Sequence, residues 1–308
     1  MIVTLTLNPA VDTSTTVDQF VPEQKLRCAA PRHDAGGGGI NVSKAIRRLG
    51  GDSLALFTSG RTQGLLLQEL VETEGITHQI IGIEGSTREN FIVTETSTNN
   101  QYRFGMPGPV LTSAEADVCL AALRSLKEAT YVVASGSMPE GLPADFYAVV
   151  AREVKKLGAR FILDTSGEPL RAAANEGVFL LKPNVGELAK MVGADKLELN
   201  DVDDAALDII RRGNCEVVVV SLGPQGAMLV TKDGYEHIPA PPVKKLSTVG
   251  AGDSMVGGMV YALSQGKTYA DMVRQGVACG SAATMNPGTE LFKKDDAERL
   301  LAWINRGQ

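Results

Sequence analysis

The heptapeptide TVGAGDS, residues 248–254, sets two glycines around an alanine, follows them with an aspartate and leads into the apolar run MVGGMVYAL. Glycines ahead of a helix let backbone N–H groups converge on an anion, and the positive end of the helix dipole adds to the attraction. In that arrangement Gly250, Ala251 and Gly252 hold a phosphoryl group, and Asp253 in the first turn takes a proton from an attacking hydroxyl. The same residues also describe a plain turn whose aspartate favours a helix N-terminus, so the heptapeptide alone leaves both readings open.

Four other stretches carry similar ambiguity. AGGGGINVSKAI (35–46) has four consecutive glycines, which mark either close backbone approach to a ligand or a hinge. Asn41 follows, able to donate to and accept from sugar hydroxyls or to cap the helix. LNPAVD (7–12) delivers Asp12 past the end of a strand, where α/β sheets bind ligands, although aspartate is also a common turn residue. In KPNVGEL (182–188), Asn184 and Glu187 have capping-box spacing, and the same pair can orient Mg²⁺-bound water beside phosphates. SLGPQGA (221–227) is a glycine-rich turn that can cover a nucleotide or simply reverse the chain. No GxxxxGK[ST] occurs, which excludes a P-loop, and NPAVD stands where a Rossmann enzyme needs GxGxxG.

The elements that must position these residues follow from periodicity. Strands are expected at 2–7, 131–135, 160–164, 178–184 and 216–223, with helices at 40–50, 143–158, 168–177 and 203–213. Strands apolar on both faces and separated by helices indicate an α/β fold with a mostly parallel sheet covered on two sides. Two polar, alternating stretches, 13–34 and 88–105, do not fit such a sheet. They are expected as antiparallel strands of a small β lid on a single domain spanning 1–308.

Composition narrows the class. The 308 residues carry a net charge of −6 without a basic block, which argues against a nucleic-acid partner. No window approaches the ~18–20 apolar residues of a membrane span. Four scattered cysteines suit a reduced, cytoplasmic protein.

Together the motifs resemble the ribokinase-type (PfkB) family of sugar kinases, with GG leading into a helix near 36–49, KPN..E in between and GAGDS at 250–254. The resemblance covers essentially the whole chain. It implies a ribokinase-like three-layer sandwich with a small β-sheet lid, ATP and a phosphorylated ketohexose as substrates, Mg²⁺ and K⁺ as cofactors, and a homodimer formed through the lid. LTLNPAVD resembles the hexose-phosphate branch. Members acting on fructose 1-phosphate or tagatose 6-phosphate tend to carry lysine in the first glycine run, where this chain has Gly38. That favours phosphorylation of fructose 6-phosphate at C1, with the other two ketohexose phosphates as alternatives and a non-catalytic binding regulator as a more distant one.

Carried over by position, Asp253 is the implied base and Gly250, Ala251 and Gly252 the anion hole. Asp12, Gly37, Gly38 and Asn41 are implied to bind the sugar. Lys25, Arg27, Arg88 and Ser137 are implied to hold its existing phosphate, and Lys182, Asn184, Ser221, Gly223 and Gly226 to hold the nucleotide. Asn184 and Glu187 orient Mg²⁺ through water, and the carbonyls of Ser247, Val249, Ala283, Asn286 and Gly288 form the implied K⁺ site. Glu290 departs from the resemblance: enteric relatives carry arginine near that loop.

Overall fold

The computed structural model describes residues 1–307. Its strands are β1 (Ile2–Thr6), β2 (Ala10–Val17), β3 (Arg32–Gly36), β4 (Leu54–Ser59), β5 (Thr77–Gly82), β6 (Arg88–Glu95), β7 (Gln101–Phe104), β8 (Tyr131–Ser135), β9 (Arg160–Asp164), β10 (Val178–Leu181), β11 (Cys215–Ser221), β12 (Ala227–Thr231) and β13 (Gly234–Ile238). The helices are α1 (Gly38–Arg48), α2 (Arg61–Thr73), α3 (Ser113–Ser125), α4 (Phe146–Lys156), α5 (Gly167–Ala174), α6 (Val185–Val192), α7 (Val202–Arg211), α8 (Ala251–Ser264), α9 (Tyr269–Ala283) and α10 (Lys294–Arg306).

Nine strands form one sheet in the order β13-β12-β11-β10-β9-β8-β1-β4-β5. Neighbours from β11 to β5 are parallel, and β12 and β13 close one edge as an antiparallel hairpin. The sequence of β11, CEVVVVS, shows why the sheet is covered twice. Its β-branched valines favour extended backbone and alternate in direction. Val217 and Val219 enter a core shared with α1, α8, α9 and α10, whereas Val218 and Val220 enter one shared with α3 to α7. A third cluster, including Ile40, Phe57, Leu67 and Val71, seats α2 against β4 and α1. The result is three layers, helix, sheet and helix.

The remaining strands form a separate sheet, β3-β2-β6-β7. Antiparallel pairing holds for β2 with β3 and for β6 with β7, but β2 and β6 run parallel, contrary to expectation. The reason is topological. β2 continues from β1 and β6 from β5, and both parents run the same way in the main sheet, so their continuations do too. Residues 18–31, expected within the polar flap, form no strand. Pro22 offers no ladder donor, and Glu23 takes a positive φ of 59°.

The other boundaries differ by a few residues. The helix expected from 143 begins at Phe146, after a turn in which the Phe146 N–H donates to the Pro143 carbonyl at 2.9 Å. The strand expected to reach 184 stops at Leu181, just before Lys182 and Pro183. Among the described residues no helix is long and apolar enough to cross a membrane.

Candidate active site

Parallel strands present their C-terminal ends on one rim of the sheet, which is where α/β folds bind ligands. Ser135 ends β8, Asp164 ends β9, Lys182 follows β10 and Ser221 ends β11, while Asp12 lies within β2, which continues from the end of β1. Asp253 meets this rim from α8. Gly250 caps that helix in the left-handed conformation at φ 69°, open to glycine at little steric cost.

Both oxygens of the partly buried Asp253 carboxylate accept hydrogen bonds. Asn41 Nδ2 donates to Oδ2 at 2.9 Å, and Ser135 Oγ donates to Oδ1 at 3.2 Å. Burial pushes its pKa up to about 6, with help from the nearby Asp164 charge, against the lowering effects of Asn41, Lys182 and Ser135. Near neutrality such a group is an ionised base whose conjugate acid is not far below working pH, as general-base catalysis needs. Asp164 is held by Lys182, whose Nζ lies 3.2 Å from Oδ1. Burial alone would lower the lysine pKa, but Asp164, with Asp253 and Glu187 behind it, more than offsets this and keeps the ammonium charged.

Beside this centre lies a cavity of about 640 Å³, whose lining includes Asn184, Ser221, Gly223, Gly226, Ala251 and Gly252. Most of the residues implied for the nucleotide, and Ala251 and Gly252 of the implied anion hole, thus line one cavity, whereas Lys182 and Gly250 are not among its lining. Asn184 and Glu187 form a complete capping box at the start of α6, each donating its N–H to the other's side chain at 2.9 Å. The cap uses Glu187 Oε2 and leaves the second carboxylate oxygen available. Among the described residues no group of three His, Cys, Asp or Glu side chains is arranged to hold a metal. That donor set fits Mg²⁺ held chiefly by phosphates and water, with Glu187 as an outer ligand, and does not fit an all-protein metal cage.

A second polar cluster gathers around Asp12 and Asn8. Asp12 accepts from Asn90 Nδ2 at 2.9 Å through Oδ1, and its Oδ2 faces Gly36 so closely that a Cβ there would stand 2.3 Å away. Burial raises the Asp12 pKa, moderated by Asn90, Arg88 and Lys44. Gly37, at φ 115°, turns the chain into α1 beside it. Asn8 ties two of the implied phosphate ligands together: its Nδ2 donates to Ser137 Oγ at 3.0 Å, and its carbonyl accepts from Arg88 Nη2 at 3.0 Å. The buried Arg88 Nε and Asn8 Oδ1 lack partners among the described residues, so this cluster holds an unengaged donor and acceptor. Lys25 and Arg27 are exposed. They lie on the 18–31 loop, which leaves the sheet after β2.

The segments of the implied K⁺ site do meet. Leu246 and Ser247 donate their N–H groups to the Thr284 carbonyl at 2.7 and 3.2 Å, and Ser247 Oγ donates to the Gly288 carbonyl at 2.9 Å. Ala283 closes α9, where the helix dipole favours a cation. Glu290 pairs with Arg32 of β3, which also grips Asp34 at 2.9 Å. Thr289 Oγ1 donates to the other Asp34 oxygen at 2.5 Å, so this loop is tied to the smaller sheet.

Ser135, Asp164 and Lys44 were not singled out from the sequence. The first two end the expected strands 131–135 and 160–164, so the strand-end rule applied to every strand would have reached them. Lys44 looked like an ordinary polar residue of α1, yet it is buried, donating to the Ala35 carbonyl and pairing with Glu74, both at 3.3 Å. No periodicity marks it.

The pfkB family carbohydrate kinase model matches residues 5–296. The chain is 47% identical over 300 residues to the ATP-dependent 6-phosphofructokinase isozyme 2 of Mycobacterium tuberculosis, covering 97% of this chain and 88% of the relative. It is 42% identical over 306 residues to the isozyme 2 of Escherichia coli K12, covering 99% of both chains. The crystal structure of phosphofructokinase-2 from Escherichia coli in complex with potassium superposes with a TM-score of 0.96 at 41% identity, covering 99% of each chain. Likeness of this extent in sequence and in fold has one explanation: the chain belongs to the pfkB family of carbohydrate kinases.

Proposed function

We propose that this chain transfers the γ-phosphoryl group of ATP to the C1 hydroxyl of fructose 6-phosphate, yielding ADP and fructose 1,6-bisphosphate. The observation that carries the reading is the position of Asp253. It follows the Ala251–Gly252 wall of the large cavity, and its carboxylate bonds Asn41 on the side of the Asp12, Arg88 and Ser137 pocket. A hydroxyl held by Asp12 and Asn41 then faces a phosphoryl group lodged against Gly250, Ala251 and Gly252.

In this reading Arg88 and Ser137 hold the phosphate already on the sugar, and the arginine contributes a charged fork. Asp253 accepts the C1 proton late, because a loose transition state makes the hydroxyl acidic only as the new O–P bond forms. The bond from the γ-phosphorus to the leaving oxygen of ADP breaks in the same displacement. The amides at the head of α8 and the Lys182 ammonium stabilise the spread negative charge. Mg²⁺, when bound with ATP, neutralises phosphate oxygens, and Glu187 and Asn184 are the residues that would orient its water shell. K⁺ would be held by carbonyls of the 247–249 and 283–288 segments.

Residues 13–34 and 88–105 act as a lid on a single kinase domain in this proposal, excluding water from the transfer. The lid also pairs two copies into a homodimer. Phe91 and Phe104 are register partners on one face of the small sheet, and both are well exposed, as apolar residues awaiting a partner surface are. The four unpaired cysteines suit a reducing cytoplasm.

Fructose 6-phosphate is favoured by the near full-length identity to two relatives named 6-phosphofructokinase and by Gly38. The test is ADP release with fructose 6-phosphate, tagatose 6-phosphate and fructose 1-phosphate, each with ATP and Mg²⁺. A kcat/KM highest for fructose 6-phosphate supports the proposal. A preference for either other sugar reassigns the substrate, and no turnover with any of them removes the kinase reading.

A further inference from the structure

We propose that Ser135 is a positioning residue for the Asp253 base, and that in this chain Gly38 leaves the Ser135 hydroxyl the room it occupies. The inference rests on the kinase reading of Asp253 and adds a residue to it.

Asp253 has two donors on two different elements. Asn41 on α1 fixes Oδ2, and Ser135 at the end of β8 fixes Oδ1. One donor lets a carboxylate swing about that contact, whereas two on separate oxygens set its plane and leave each oxygen a lone pair for the incoming hydroxyl. Ser135 is well suited to this. It is only 1% exposed, and its strand is paired on both sides, by β1 and β9, so its backbone is held. The hydroxyl therefore has one adjustable torsion and a carboxylate within reach.

Gly38 supplies an independent observation. A Cβ built on it would stand 2.3 Å from Ser135 Oγ, 2.5 Å from the Ser135 carbonyl carbon and 2.6 Å from Gly136 N. With the backbone as it stands in this chain, a side chain at 38 would have to displace the hydroxyl or move the end of β8. The φ of Gly38 is not in the left-handed region, so a substitution there is opposed by these contacts and not by backbone strain.

The charged groups facing Asp253 define the expected pH response. Asp164, the register partner of Ser135 on β9, raises its pKa, while Lys182 after β10 lowers it. Asn41 and Ser135 lower it as neutral donors. Removing the Ser135 hydroxyl leaves Asp164 less opposed, so the base should protonate at higher pH.

The experiment compares wild type, Ser135→Ala, Gly38→Ala and Asp253→Asn in the full-length protein with saturating ATP, Mg²⁺ and fructose 6-phosphate, recording kcat against pH with melting temperatures alongside. Ser135→Ala is expected to lose about tenfold in kcat, as for loss of one hydrogen bond to a charged group. Its KM for ATP should be unchanged, and its acid limb should move to higher pH. Gly38→Ala, which retains the hydroxyl but crowds it, is expected to shift the limb the same way. Wild-type kcat and an unmoved limb in Ser135→Ala overturn the inference. So does a fall in kcat that only tracks a lowered melting temperature with no shift of the limb. If Asp253→Asn is inactive while Ser135→Ala behaves as wild type, only this inference fails. If Asp253→Asn turns over normally, the base assignment falls and this inference with it.

Discussion

Asn41 and Asp253 stand 212 positions apart in the chain and share a hydrogen bond of 2.9 Å, with the amide of α1 donating to the carboxylate of α8. Each belongs to a glycine-rich helix start, one at 36–39 and the other at 250–252. The contact joins the sugar-side glycine run to the phosphoryl-side one, and it puts the base where both can be served.

Asp253→Asn should lower kcat by roughly 10²–10⁴-fold, the range for loss of a positioned general base. In the wild type, kcat/KM should fall as pH drops through about 6, since the base must be ionised. The stability effect has the opposite sign to that of a salt-bridged aspartate. The folded pKa lies above the ordinary 3.8, so ionisation costs the folded state more than the unfolded one, and stability declines as pH rises from about 4 to about 6. The carboxamide introduced by Asp253→Asn cannot ionise, so this variant should match or exceed the wild-type melting temperature at pH 8 and lose that advantage below pH 4. Melting curves at the two pH values check this, and a variant less stable only at pH 8 contradicts it.

Glu187→Gln separates the cap from the metal. Glutamine accepts the Asn184 N–H as glutamate does, so urea stability should change by less than about 0.5 kcal/mol. The Mg²⁺ concentration for half-maximal rate should rise, and chelating Mg²⁺ should abolish transfer in both proteins. An unchanged Mg²⁺ requirement would leave Glu187 with its capping role alone.

Arg88→Ala tests the phosphosugar pocket. Loss of a charge-assisted donor should raise the KM for fructose 6-phosphate about ten- to hundredfold, with little change in the KM for ATP. Equal rises in both KM values would point to a disturbed fold around Asn8 and away from a phosphate contact.

Arg32→Ala tests the tie between the small sheet and the 286–290 loop. Buried Asp34 would lose the paired donors at 3.1 and 2.9 Å and keep only Thr289. About 1–2 kcal/mol of stability should be lost in urea, whereas Glu290→Gln, which breaks only the more exposed pair, should cost less than about 1 kcal/mol. Equal losses would mean that Asp34 is not the anchor.

Strand and helix identity in the second half of the chain was legible because it rests on local pattern. Tyr131–Ser135 and Arg160–Asp164 fall where the apolar runs put them, and the Asn184–Glu187 cap forms from a spacing of three. Local pattern also located Asp253 at a helix head and Asp12 beyond a strand. It did not show that Ser135 and Asp164 sit side by side in register, that Lys182 balances Asp164, or that Arg88 and Ser137 meet through Asn8. Nor did it show that Lys25 and Arg27 lie on a segment with no strand, or that β2 and β6 run parallel. Backbone periodicity and capping are set within a few residues, so the sequence alone determined them. Which charges share a desolvated site depends on strand order and register, set by packing across hundreds of positions, and only the tertiary structure decided it.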